Sequence, residues 1–277
     1  FTLTYPLTDA PAAPTHEVRP ALPPGLLRGL RVLLVEDNPV NQLLACSLLQ
    51  EWHTTAQVAT DGEQALRLAQ AQPFDVILMD IQMPRLNGLE ATAALRRQAG
   101  PNQHTPIVAL TANALKTDVD TYPHAGFSDW LVKPYHEHSL YQVLARNTGR
   151  QAATGPAEEH PAAAAPPSYG FGGLGRLAND PAFIRKLQQL YLDTVPRQME
   201  QLETALQGQD WPAVARLAHS LKSTFGNLQI EEALAGIKKI EAQLKKNPEP
   251  ALLWQLYHSV RQTAHQAAAA FSAQLQA

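Results

Sequence analysis

Five short apolar runs, each followed by a stretch with helical spacing, constrain residues 31–147 more than any other feature of this chain. RVLLV (31–35) has the length and apolar content of a buried strand, and residues 54–60, FDVILM (74–79), PIVAL (106–110) and DWLV (129–132) also read as strands. Helical spacing is predicted over 39–52, 62–71, 89–98 and 136–147, with Asn38 capping the first helix and Pro39 at its first position. Strands alternating with helices imply an α/β fold, a doubly wound five-stranded parallel sheet with its site at the carboxyl ends of the strands. After about residue 178 the strand pattern disappears. Apolar residues then recur at spacings of three and four, as in an all-α four-helix bundle.

Proline, alanine and glycine mark the joints. Six prolines between Pro6 and Pro24, and the AAAAPP segment before Gly170, Gly172, Gly173 and Gly175, are poor hosts for helix or sheet. The expected division is an N-terminal remnant and proline-rich linker at 1–29, an α/β domain at 30–147, a second linker at 148–177 and a helical domain at 178–277. A flexible joint of this second linker's length spans roughly 30 Å root-mean-square. It would hold the two domains at about millimolar effective concentration.

Charge and cysteine content narrow the function. A net charge of −3, with basic residues scattered along the chain, argues against a nucleic-acid partner or direct membrane contact. The single cysteine, Cys46, permits no internal disulfide framework and suits a reducing, cytoplasmic compartment. No apolar run approaches the ~18 residues of a membrane span. The chain begins at Phe1 with FTLTYPL, which reads as a strand belonging to a longer parent protein.

Chemistry-bearing residues gather where the strands end. Glu36 and Asp37 follow the first strand, Asp80 the third, Thr111 the fourth and Lys133 the fifth. A parallel sheet brings these ends to one edge, so three carboxylates, a hydroxyl and an ammonium converge. Clustered carboxylates repel one another unless a cation joins them, and hard oxygen ligands with open positions suit Mg²⁺. Such a set meets the needs of phosphoryl transfer, which is mostly positioning and neutralisation of charge. Each residue taken singly has a plainer reading as a solvated turn or a helix cap; their joint placement does not.

VEDNPVNQ (35–42), DVILMDIQMP (75–84), ALTANAL (109–115) and WLVKP (130–134) resemble the response-regulator receiver family, in the form fused to hybrid sensor histidine kinases. The resemblance implies that Asp80 is the phosphoacceptor. It implies that Asp37 binds Mg²⁺ directly, Glu36 through water and Gln82 through its backbone carbonyl. Thr111 would bind the phosphoryl group after transfer, and Lys133 would pair with Asp80 or its phosphate. Trp130 occupies the family's aromatic switch position, where Tyr or Phe is more usual. Pro123 falls where the family's fourth helix continues, at a cost of about 3 kcal/mol in a helix interior, so that helix is expected to end or kink near Tyr122.

Of ten histidines, only His219 has a recognisable chemical context, RLAHSLKSTFGN (216–227). At 100° per residue, Val214, Leu217, Ala218, Leu221 and Phe225 form one stripe, with His219, Lys222, Ser223 and Gly226 roughly 140° away. The imidazole is therefore expected to be exposed, with Lys222 favouring an anion and small residues allowing close approach of a partner. A plain surface histidine is the simpler alternative, but Gly226 costs about 1 kcal/mol in mid-helix and wants a reason. Over 178–275 the block resembles the histidine-containing phosphotransfer (HPt) family, with Ser223 where the family pattern has glycine. That resemblance makes His219 the phosphohistidine and Ser223 and Gly226 docking residues.

The resemblances together imply the C-terminal part of a hybrid sensor histidine kinase, a phosphotransfer module without an ATP site of its own. Its partners would be the kinase core of the same parent and a downstream response regulator. A Mg²⁺-dependent phosphohydrolase of the haloacid-dehalogenase type is a rival, weakened because Gln82 stands where that family has a second Asp. A scaffold without phosphorylation is another, opposed by the intact set of Asp37, Asp80, Thr111 and Lys133.

Overall fold

The computed structural model describes residues 25–111, 121–150, 172–246 and 248–276. The FTLTYPL segment, the first proline-rich stretch and most of the second linker lie outside the described residues. Strands β1 (Arg31–Val35), β2 (Thr55–Ala59), β3 (Val76–Asp80), β4 (Ile107–Thr111) and β5 (Asp129–Val132) form one parallel sheet in the order β2-β1-β3-β4-β5. Helices α1 (Pro39–Glu51), α2 (Gly62–Ala71), α3 (Gly88–Arg97), a short α4 (Tyr122–Ala125) and α5 (Glu137–Asn147) cover its faces. Alternate residues of each strand face opposite layers, as the pleat requires. Val32, Leu34, Val76 and Leu78 pack toward α1 and α5, and Leu33, Val35, Ile77 and Met79 toward α2 and α3. Both layers are fully buried, which explains strands that are continuously apolar rather than alternating.

Local chemistry sets the helix starts. Asn38 caps α1 through Oδ1, accepting from the amides of Val40 at 2.9 Å and Asn41 at 3.3 Å. Asn87 and Glu90 form a reciprocal capping box on α3. The next residue, Gly88, lies against β3: a Cβ there would sit 2.1 Å from the Asp80 carbonyl oxygen, so only glycine lets α3 start beside that strand end. Pro123 stands in the first turn of α4, where its missing N–H costs nothing. The path of the chain just before α4 lies outside the described residues.

A 3₁₀ segment (Gly172–Asn179) leads into α6 (Pro181–Gln207), α7 (Trp211–Asn227), α8 (Glu231–Leu244) and α9 (Pro250–Gln276). These four helices are the expected bundle, and Val214, Leu217, Ala218, Leu221 and Phe225 of α7 all face its core. The bundle lies against the α/β domain. Helix α1 contacts α6, α7 and the 3₁₀ segment, whose Leu174 and Leu177 are buried in an apolar cluster continuous with both domains. Among the described residues no helix is long and apolar enough to cross a membrane.

Candidate functional site

The sheet order reverses between β1 and β3, and doubly wound folds place their sites at such a switch point. The acidic residues stand there. Glu36 and Asp37 follow β1 and Lys133 follows β5, as expected, whereas Asp80 and Thr111 prove to be the last residues of their strands rather than the first beyond them. Glu36, Asp37 and Asp80 each present a carboxylate oxygen within 4.8 Å of the others, a spacing and donor set that could hold a metal ion. Lys133, buried, ties two of them together, with Nζ 2.5 Å from Glu36 Oε2 and 2.8 Å from Asp80 Oδ2. Gln82 borders the same cleft, and its backbone amide donates to Asp80 Oδ1 at 3.2 Å.

One ammonium does not neutralise three acids. Burial, with Glu36 adding repulsion, pushes Asp37 up to about 6. Burial also pushes Asp80 up to about 6, against the pull of Lys133. Burial works against the Lys133 ammonium in turn, but Asp80 and Glu36 hold its pKa above the ordinary lysine value. The Thr111 hydroxyl accepts a hydrogen bond from the buried Tyr122 Oη at 3.0 Å. Trp130, half-buried, packs against the layer that contains Tyr122 and Phe127.

The structure corrects the expectation for His219. Its imidazole is buried, at 7% exposure, because the α/β domain docks on the face of α7 that the helical geometry leaves outward. A cleft of about 380 Å³ lies between them, lined by Asp37, Gln82, Met83, Arg216, His219 and Ser220 among others. Arg216, across the cleft, favours the Asp37 carboxylate, though burial outweighs it. Nδ1 of His219 faces Glu241 Oε1 at 3.6 Å, beyond hydrogen-bond distance, and both ring nitrogens are buried without a hydrogen-bond partner. Lys222 is not a free cation either; its Nζ donates to both Glu241 oxygens at 2.7 and 2.6 Å. Burial disfavours the Glu241 carboxylate, but His219 and Lys222 outweigh it and hold the group below the ordinary glutamate range.

The docking face is polar where it meets the acid site. Asn38 Nδ2 donates to Ser220 O at 2.9 Å, Ser220 Oγ at 3.0 Å and Thr224 Oγ1 at 2.9 Å, so the residue that caps α1 also binds α7. Gly226 faces Pro134: a Cβ there would meet the proline ring at 3.7 Å, an ordinary contact that a larger side chain would exceed. Ser223 is buried in the same helix. Sequence reasoning missed Glu241, Arg216 and Tyr122. Glu241 comes from the next helix and Tyr122 from a separate element, and no spacing rule links either to the residue it serves.

Residues 32–145 match the response regulator receiver domain, and residues 186–271 match the Hpt domain. This chain is a receiver domain joined to an Hpt domain. Their pairing marks phosphorelay signal transduction. The receiver–Hpt region is similar to the sensor protein GacS of Pseudomonas syringae pv. syringae, 32% identical over 81% of this chain and 26% of that protein. It is also similar to the signal transduction histidine-protein kinase BarA of Escherichia coli (strain K12), 30% identical over 81% of this chain and 25% of that one. The chain thus spans about a quarter of the length of these curated relatives. The receiver domain of a sensor histidine kinase from Pseudomonas aeruginosa, solved with a magnesium ion in its active site cleft, is 42% identical over 44% of this chain and 98% of that one, with a TM-score of 0.41.

Proposed function

We propose that Asp80 receives a phosphoryl group from a histidine of a kinase core outside these 277 residues and passes it to His219 of the same chain, which hands it to a downstream response regulator. The observation that carries this reading is the shared cleft: the buried His219, its Nε2 unpaired, faces the receiver's acid site across a docked interface. In the transfer, the Nε2 lone pair attacks phosphorus, the bond from phosphorus to the Asp80 oxygen breaks, and the carboxylate leaves with its electron pair. The imidazole keeps its proton on Nδ1, facing Glu241, whose charge stabilises the cation that forms. Lys133 is placed to stay with the Asp80 carboxylate as negative charge returns to it.

Asp37, Asp80, Glu36 through water and the Gln82 backbone carbonyl would hold Mg²⁺, which when bound neutralises charge on the transferred oxygens. Thr111 would take a phosphoryl oxygen after giving up its contact with Tyr122, and Trp130 would respond through the layer it shares with Tyr122. The surplus of acid over base at Asp80 supports the cation, since Lys133 alone leaves two carboxylates with raised pKa values. We place this part of the parent protein in the cytoplasm, where kinase core and regulator would meet it.

The test is phosphorylation of the full chain with acetyl phosphate and Mg²⁺, followed by sorting of the adduct. An acyl phosphate on Asp80 is lost in base, whereas a phosphohistidine survives base and is lost in acid. Base-stable label should appear in the wild type and vanish in His219→Gln, with base-labile label retained. Rapid release of inorganic phosphate without an adduct would favour the hydrolase, and no reaction the scaffold.

A further inference from the structure

Two asparagines connect the Hpt docking face to the receiver's acid site. Asn227, the last residue of α7, donates from Nδ2 to Asn41 Oδ1 at 2.8 Å. Asn41, buried in the first turn of α1, donates from its own Nδ2 to Glu36 Oε1 at 2.9 Å. The backbone amide of Asn38 reaches the same oxygen at 3.2 Å. The other Glu36 oxygen is held by Lys133, which also holds Asp80. An unbroken line of polar contacts, half-buried at Asn227 and buried from Asn41 onward, therefore runs from the end of the Hpt helix to Asp80.

A side-chain amide has opposite polarity at its two ends. With its oxygen claimed by Asn227, the Asn41 amide must turn its NH₂ toward Glu36. The reverse orientation would set Oδ1 against a buried carboxylate oxygen, where low dielectric makes an unpaired or repelled group costly. Docking of the Hpt helix thus selects the one orientation that holds Glu36 in place. Asn38 has no such choice, because its Oδ1 is already committed to the amides of α1.

We propose that Asn41 is a positioning residue that couples Hpt docking to divalent-cation binding at Glu36, Asp37 and Asp80, so that each strengthens the other. The proposal rests on the reading of those three carboxylates as a cation site. Thermodynamic linkage makes the coupling reciprocal: whatever factor the docked helix adds to cation affinity, the cation adds to docking. A relay gains from this, because the receiver holds its Hpt partner most firmly when the site is loaded for transfer.

Mg²⁺ titration of the full chain by isothermal calorimetry tests it, with wild type, Asn227→Ala, Asn227→Asp, Asn41→Ala and the two double variants. Asn227→Ala should weaken Mg²⁺ binding about fivefold, at the lower end of site-to-site couplings. Asn227→Asp should weaken it further, because a carboxylate would accept from Asn41 Nδ2 and turn the amide oxygen toward Glu36. Simple Coulomb attraction from the added negative charge predicts the opposite sign. In the Asn41→Ala background neither substitution at 227 should weaken binding, and thermal melts of all variants show whether the fold is kept. Unchanged affinity in both single Asn227 variants overturns the coupling while leaving the cation site standing. An equal loss in both Asn41 backgrounds also overturns it. No uptake of Mg²⁺ by the wild type would remove the cation site and the coupling together.

Discussion

At the carboxyl edge of the sheet three carboxylates share one ammonium, Lys133; in the helical bundle one carboxylate, Glu241 of α8, faces both the ammonium of Lys222 and the imidazole of His219 on α7. The receiver site is largely buried and the Lys222–Glu241 pair half-buried, and the two sites depart from neutrality differently. The receiver site carries surplus negative charge, and burial drives Asp37 and Asp80 up to about 6. The Hpt site is balanced, and its one acid is held below its ordinary range. A site that is costly to ionise is poised to accept a cation and a reacting group. A site already at balance serves instead to hold an imidazole in one orientation. The contrast fits the proposed roles, a receiver that needs Mg²⁺ and a histidine that needs only an orienting partner.

The largest effect that could break this contrast is at Asp80, the proposed phosphoacceptor. Asp80→Asn should abolish uptake from acetyl phosphate, because an amide cannot serve as the nucleophile. Intact-mass detection of a wild-type level of adduct in that variant would move the acceptor elsewhere. Glu241→Gln should leave uptake on Asp80 intact and slow transfer to His219 about tenfold, because the carboxylate 3.6 Å from Nδ1 would no longer offset the charge of the imidazolium that forms. Transfer at the wild-type rate in rapid-quench measurements would reduce Glu241 to a structural neighbour of Lys222.

Stability against pH sharpens the contrast next. Asp37 has a folded pKa raised from the ordinary aspartate value of 3.8 to about 6, so between these values the native state binds more protons than the unfolded state. Its contribution to stability therefore falls as pH rises through this window. Glu241 works the other way: its depressed pKa contributes stability above the ordinary glutamate value of 4.5 that is lost as pH falls through the folded value. In metal-free buffer at pH 7, Asp37→Asn should raise stability by about 2 kcal/mol, with a much smaller gain at pH 4. A gain in denaturant melts that is the same at both pH values would discard the surplus-charge account. Added Mg²⁺ should narrow the gap at pH 7, since it stabilises the wild type more than the variant.

The smallest effect concerns the face between the two sites. Gly226→Ala adds a methyl at ordinary contact distance from Pro134 and removes the helix cost of glycine, so stability should rise by about 1 kcal/mol. Transfer from Asp80 to His219 should be nearly unaffected. Gly226→Leu should slow that transfer, because its extra carbons have nowhere to go while Pro134 is in place. Equal transfer rates in the two variants would show that close approach is not why glycine stands there.

Much of this molecule was legible in the order of its residues. Strand-like runs of four to seven residues bounded by turns predicted all five strands within a residue or two, most plainly β1, β3 and β4, whose burial on both faces leaves little room for polar side chains. The strand ends in turn placed Glu36, Asp37, Asp80, Thr111 and Lys133 on one edge, since a parallel sheet has only one carboxyl edge. The helical wheel of α7 separated the core stripe from the His219 face correctly, because 100° per residue is a property of the backbone alone. What covers that face was not legible. His219 was expected in solvent and is buried by a domain about 180 residues away in sequence, through contacts such as Asn38 with Ser220. Glu241, Tyr122 and the Asn227–Asn41–Glu36 line likewise exist only once separate elements pack. Periodicity records which side of a helix or strand is apolar, a local property of each segment. The identity of the partner against that side depends on how the segments dock, and only the tertiary structure decided it.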